Sequence, residues 1–169
     1  MTTIVRLAQP ADAAFLPDIE VSAGESFRAL PELAWIADDG VDGVDIHSAR
    51  IAEGSVWIAE DRLDGITGFL SAQRFDTDLH IWELAVAQPF QRRGLGRLLL
   101  DAARRKARND AAAALTLTTF RHVAWNAPFY ERYGFKILEG AETGERLTEV
   151  LRREAARNLP NRCAMRLQV

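Results

Sequence analysis

A single cysteine, Cys163, is all the thiol chemistry available to this chain of 169 residues. One thiol cannot close an internal disulfide. With no neighbours at metal-ligand spacing, it is expected to pack as a small buried hydrophobe, without redox or metal chemistry. Long apolar runs are missing too. No stretch approaches the roughly eighteen residues a membrane helix needs, and the opening MTTIVRLAQPADAAFL has no basic segment leading into an apolar run, so a cytoplasmic location with no membrane partner is expected. Internal repeats, low-complexity tracts and Ser/Gly-rich linkers are also absent, which points to a single domain over 1–169.

What is present is a core and a divided charge. Hydrophobic residues make up 48% of the chain, with four Trp and eight Phe, enough for a globular interior. Net charge is only -3, yet residues 1–90 carry 16 acids and 5 bases, and residues 91–169 carry 8 acids and 16 bases. Such polarity suits an anionic ligand on one side and a cationic one on the other, though a surface without function would also allow it. The Arg104-Arg105-Lys106-Ala107-Arg108 run lies on one helical stretch beside Asp101 and Asp110 in an acidic chain. It reads as a solvated helix face, and no nucleic-acid partner is expected.

Periodicity supplies the elements. Thr3 to Leu7 alternates as a strand, and Pro10-Ala11-Asp12 opens a helix with Phe15, Leu16 and Ile19 inward, ending near Gly24. Short helices are expected at 31–36 and 44–52, around the turn-rich, acidic stretch from Asp38 to Gly43. Three strands, 56–60, 65–74 and 79–87, read as an antiparallel meander. A helix follows Gly96, with Leu95, Leu98, Leu99 and Ala102 as its apolar stripe. Leu115 to Thr119 is a strand. Asn126 has the position of an N-cap, Pro128 fits the first turn, and Gly134 ends the short helix before a strand at 135–138. A helix near 145–157 and a strand near 163–167 finish the chain. The sum is an α/β fold with a mixed, mostly antiparallel central sheet and helices on both faces.

The segment from Leu84 through Ala85, Val86 and Gln91 to Gly96 is the most informative. It is a strand, a basic turn with two glycines, and a helix start. Glycine permits positive φ and close backbone approach, and the amides and dipole at a helix start attract phosphate, so a pyrophosphate site fits here. A plain strand-to-helix turn would also satisfy the pattern taken alone. A P-loop is excluded because no Gly-Lys-Ser/Thr is present. A dinucleotide fingerprint is excluded because Leu99 stands where its third glycine belongs, after a meander and not a βαβ unit.

Two motifs in order, Gln91-Arg92-Arg93-Gly94-Leu95-Gly96 and Asn126-Ala127-Pro128-Phe129-Tyr130-Glu131-Arg132-Tyr133-Gly134-Phe135, resemble those of the GNAT (GCN5-related N-acetyltransferase) superfamily. The opening from Arg6 to Asp12 is similar to its usual first strand and helix, so the resemblance runs from near the start to about Leu138. The helix near 145–157 departs from the shortest members. The resemblance implies acetyl-CoA (coenzyme A) as co-substrate, without a metal, and direct transfer to an amine in a ternary complex. It implies that the backbone of Leu84, Ala85 and Val86 holds the pantetheine arm, and that the turn from Gln91 through Arg92, Arg93, Gly94, Leu95 and Gly96 to Arg97 holds the pyrophosphate. Asn126 and Phe129 would face the cofactor. Each also has a plainer role: exposed bases for the arginines, a helix cap for Asn126, and packing of Phe129 against Tyr133.

The chemistry sets the remaining needs. An alkylammonium of pKa near 10.4 exposes its lone pair in only roughly one molecule in 2,500 at pH 7, a handicap of about 4.6 kcal/mol. A base helps the amine, and an acid helps the departing thiolate. By resemblance Tyr130 is the acid, with a core aromatic as its alternative. His80 and Glu83 are the base candidates; alternation points them to opposite faces, and His80 is slightly preferred. Relay through water stays open. The acceptor is expected to be cationic because Asp38, Asp39, Asp42 and Asp45 fall where relatives build acceptor sites. A small-molecule amine, a protein N-terminus or lysine, a homodimer, and a non-catalytic acyl-CoA-binding module all stay open.

Overall fold

The computed structural model describes Thr3–Val169. Seven strands share one sheet in the order β1-β2-β3-β4-β5-β7-β6. They are β1 (Thr3–Leu7), β2 (Val56–Asp61), β3 (Gly65–Phe75), β4 (Asp78–Val86), β5 (Ala114–Phe120), β6 (Lys136–Ile137) and β7 (Arg162–Gln168). The β4/β5 pair is parallel; β1/β2, β2/β3, β5/β7 and β6/β7 are antiparallel. The mixed, mostly antiparallel sheet expected from the alternation is therefore present. The helices are α1 (Leu16–Gly24), α2 (Val44–Ala52), α3 (Leu95–Asn109), α4 (Ala127–Tyr133) and α5 (Gly144–Ala156). Among the described residues no helix is long and apolar enough to cross a membrane. The chain divides into two compact units, 1–73 with 83–105, and 74–82 with 106–169.

In the first unit, Val56, Trp57, Ile58 and Ala59 of β2 are all buried. Consecutive burial of this kind marks a strand covered on both faces. One core gathers Leu16 and Ile19 of α1, Ile51 of α2, Val56, Ile58, Phe69 and Ala85. The expected helix from Pro10 splits. Pro10–Phe15 is a 3-10 turn and α1 begins only at Leu16, leaving Phe15 58% exposed and not in the core. The expected short helix at 31–36 is likewise a 3-10 turn, Ala34–Asp38. On α3, Leu95, Leu99 and Ala102 are buried as expected, but Leu98 is 43% exposed. The buried stripe takes in Leu100 and Ala103 instead.

In the second unit, β5 is paired along its length with β7, from Ala114↔Gln168 to Phe120↔Arg162. Helix α4 stops at Gly134, whose φ of 123° is open to glycine, and the amides of Gly134 and Phe135 both return to the Tyr130 carbonyl. Helix α5 is seated by Leu147, which is buried, and by Glu154. Glu154 accepts from the Thr118 hydroxyl at 2.6 Å and pairs with Arg162 at 2.9 Å. Cys163 is buried, and burial pushes its thiol pKa up, so the inert role expected of it fits.

Candidate functional site

The first unit carries the strand-turn-helix segment. Strand β4 ends at Val86, Gln88–Phe90 makes one 3-10 turn, and α3 starts at Leu95. Gly94 sits at φ 83°, with open space where a Cβ would stand, so the turn requires glycine for its backbone. The second positive φ belongs to Arg92, at 63°, while Gly96 lies inside the helix. Backbone amides at 94–97 precede the first helical bond, from the Leu98 N–H to the Gly94 carbonyl at 3.1 Å, and such amides have no carbonyl partner within the helix. Arg92, Arg93 and Arg97 are exposed around them. The Arg93 guanidinium lies 5.3 Å from the Phe90 ring centroid. Amides, a positive helix end and exposed guanidinium groups together suit a pyrophosphate.

Gln91 builds this turn from within. Its side chain donates to the Val86 carbonyl at 2.9 Å and accepts from the Ser26 hydroxyl at 2.8 Å. The Val86 carbonyl is thus already engaged, so its part in holding a ligand would fall to the N–H. Ser26 lies in the 3-10 turn Glu25–Ala29 that follows α1, and α1 itself is tied to the turn after β4 by the Gln88 N–H, which donates to the Ser22 hydroxyl at 3.0 Å. The end of β4 is also closely backed by β3. A Cβ built on Gly68 would stand 2.9 Å from the Ala85 carbonyl oxygen and 3.2 Å from Val86 Cγ2. Ser22, Ser26 and Gly68 escaped the sequence reading. Serine and glycine are too common for pattern alone to single them out, and only the packing gives these positions meaning.

Of the acids expected to attract a cation, two are already engaged. Asp38 pairs with Arg28 at 2.8 Å and Asp42 with Arg50 at 2.9 Å. The more deeply placed acid is Glu20 of α1, which sequence reasoning passed over. Glu83, on the second half of β4, is half-buried in the same unit, and its charge acts on Glu20.

The second unit holds the other named residues. Tyr130 is 8% exposed, with its ring edge-on to Phe129 at 5.1 Å and to Phe135 at 5.6 Å. The aromatic packing of α4 thus runs through Phe135, which Tyr133 meets at 6.0 Å. Asn126 stands at the N-cap, but its side chain makes no capping bond; its carbonyl receives the Phe129 and Tyr130 amides. His80 is fully buried. Its Nδ1 lies 3.0 Å from the Thr116 hydroxyl, which also accepts from Arg146 at 3.1 Å, and its ring is edge-on to Trp82 at 4.5 Å. Burial first, and then the positive charge of Arg146, lower its pKa to about 3. An imidazole that stays neutral to that pH is poorly suited to hold a proton taken from an amine at neutrality. The preference for His80 over Glu83 therefore has the burial of β4's first half against it.

Among the described residues no group of three or more His, Cys, Asp or Glu could hold a metal ion. The fold recurs in solved structures of low identity. A PaiA N-acetyltransferase from Thermoplasma acidophilum, in complex with coenzyme A, is 14% identical, with 100% of each chain covered and a TM-score of 0.72. The ribosomal-protein-S18-alanine N-acetyltransferase of Escherichia coli is 16% identical over 99% of this chain and 94% of its own, at 0.69. N-acetylglutamate synthase from Neisseria gonorrhoeae, with coenzyme A and N-acetyl-glutamate, is 18% identical over 99% of this chain but 35% of its own, also at 0.69. A family model described as the acetyltransferase (GNAT) domain matches residues 52–137, from the end of α2 through β6, and so takes in both the Gly94 turn and α4. With the strand-turn-helix geometry and the matched sequence agreeing, the chain belongs to the GNAT acetyltransferase domain family.

Proposed function

We propose that this protein transfers an acetyl group from acetyl-CoA to a cationic primary amine by direct attack, as one N-acetyltransferase domain. The observation that carries the reading is the turn after β4, where Gly94 at φ 83° and the start of α3 present backbone amides beside exposed Arg92, Arg93 and Arg97. Acetyl-CoA supplies the activated acyl carbon. The turn would hold its pyrophosphate through those amides and guanidinium groups, and the N–H groups of Leu84 and Val86 would orient the thioester arm. Glu83 would take the proton of the bound ammonium, which frees the nitrogen lone pair for attack, and Tyr130 would protonate the departing thiolate. Asn126 and Phe129 are assigned to cofactor contact. The reading of Tyr130, Asn126 and Phe129 rests on their place in the second family motif.

The acceptor is proposed to be cationic because residues 1–90 carry 16 acids against 5 bases and Glu83, half-buried on the second half of β4, lies among them. Calorimetry with acetyl-CoA, followed by thiol release in a panel of polyamines, amino sugars, amino acids and lysine-containing peptides, tests the whole. Micromolar binding with release on cationic amines is the expected result. Binding without release on any amine would make the protein a non-catalytic acyl-CoA-binding module, and preference for acidic or neutral acceptors would reject the cationic class.

A further inference from the structure

Helix α1 buries Leu16 and Ile19, and Glu20, four residues after Leu16, shares that inward face. Helix α2 buries two residues, His47 and Ile51, again four apart. A carboxyl and an imidazole therefore stand where helical periodicity asks for apolar side chains. They meet there. His47 Nε2 lies 2.8 Å from Glu20 Oε1, with the side chains 1% and 10% exposed, and the imidazole is edge-on to Phe69 at 5.4 Å.

Neither of the two touching atoms has another hydrogen-bond partner, and the Asp42 backbone also acts on the His47 imidazole. Two lone-pair atoms at this separation repel unless a proton lies between them. Of the remaining charges near Glu20, Asp42 favours the protonated acid and Arg50 the ionised one, and Arg50 has the smaller effect. The Asp42 N–H donates to Glu20 Oε2 at 3.3 Å, and Arg50 is engaged by the Asp42 carboxylate. Burial, and then the negative charge of Glu83, push the Glu20 carboxyl up to about 8, and burial lowers the His47 imidazole. Both shifts favour a carboxylic acid against a neutral imidazole, with the proton lying in the 2.8 Å contact. The helix bearing Glu20 is fastened through Ser22 to the turn that follows β4, Ser26 of the 3-10 turn after the helix adds a second tie, and β4 carries Glu83.

Building on the N-acetyltransferase reading, we propose that Glu20 and His47 share one proton as a pair of positioning residues and so leave the negative charge of this part of the first unit on Glu83, which draws in the acceptor ammonium and takes its proton. The division follows from environment. Two neighbouring carboxyls do not both ionise cheaply, and the more deeply buried one keeps the proton, given a partner to receive its O–H. The step itself balances: the ammonium N–H bond breaks, Glu83 gains the proton, nitrogen bonds the acyl carbon, and the carbon–sulfur bond releases a thiolate that is protonated in turn.

The test is Glu20→Gln, which is isosteric with the protonated acid. Carbon-13 carboxyl titration of the wild type should show one carboxyl titrating near pH 8, coupled to Glu83 and absent in the variant. The pH profile of kcat/KM should lose its inflection near the same pH, while kcat at pH 7 stays within about threefold. Nitrogen-15 shifts of His47 in the wild type should report a neutral ring between pH 6 and 7, which checks the pair even if the variant folds poorly. A wild type without the high carboxyl titration, or with an ordinary His47 titration, overturns the pair. An inflection that survives in Glu20→Gln overturns its role. If the pair titrates as described but no amine supports thiol release, the N-acetyltransferase reading fails together with the task given to Glu83, and the shared proton stands.

Discussion

Replacing Gly68 by alanine isolates the close approach of β3 to the end of β4. The new Cβ would meet the Ala85 carbonyl oxygen at 2.9 Å and Val86 Cγ2 at 3.2 Å, and the first of these is backbone that cannot swing away. Forcing one methyl into such a site typically costs about 1–3 kcal/mol. In a chain of this length each kcal/mol lowers Tm by roughly 2–4 °C. Two controls in the same unit separate the causes. Gly40 has open space and no positive φ, so Gly40→Ala should be neutral or gain up to about 1 kcal/mol through the unfolded state. Gly54 has open space but φ 77°, so Gly54→Ala should cost about 1–2 kcal/mol from backbone strain alone. Only Gly68→Ala should also weaken acetyl-CoA binding, because relief of the clash displaces the Ala85–Val86 backbone proposed to orient the thioester arm. If roughly 1.4 kcal/mol of that strain must be restored on binding, affinity falls about tenfold. Urea unfolding and calorimetry on the three variants give both numbers. Unchanged acetyl-CoA affinity in a Gly68→Ala protein that has lost stability would refute the assignment of the β4 end to the cofactor.

Gly94→Val places a branched side chain at φ 83° and on the proposed phosphate path, and it should abolish measurable acetyl-CoA binding in a folded protein; calorimetry with circular dichroism checks both. Tyr130→Phe keeps the ring packed against Phe135 and removes the transferable proton, so kcat should fall about a hundredfold with acetyl-CoA affinity little changed, and near-normal kcat where chemistry limits the rate would make Tyr130 a packing residue. His80 makes stability depend on pH. Its folded pKa, about 3, lies below the unfolded value of 6.5, so below 6.5 the unfolded chain binds the extra proton and stability declines as pH falls toward 3. Between pH 7 and 5 this is worth about 2 kcal/mol, read from urea unfolding at the two pH values, and His80→Gln should flatten the dependence.

The sequence by itself determined the order and type of nearly every element, because alternation over Thr3–Leu7 and the apolar stripe of α3 are local properties of the chain. It also determined the Gly94 turn, since a strand, a glycine at positive φ and a helix start are written in consecutive residues. Where local pattern was ambiguous it misled. Phe15 and Leu98 fit helical periods, yet both are substantially exposed, because a 3-10 turn and the width of the buried stripe depend on what packs against them. The tertiary structure alone decided the electrostatics. The His80 imidazole is pushed down by burial and by Arg146, and the Glu20 carboxyl is pushed up by burial and by Glu83, 63 residues further along the chain. The physical reason is desolvation. Periodicity reports which face of an element is inward, but the charge a buried group can carry is set by neighbours brought in from distant parts of the chain.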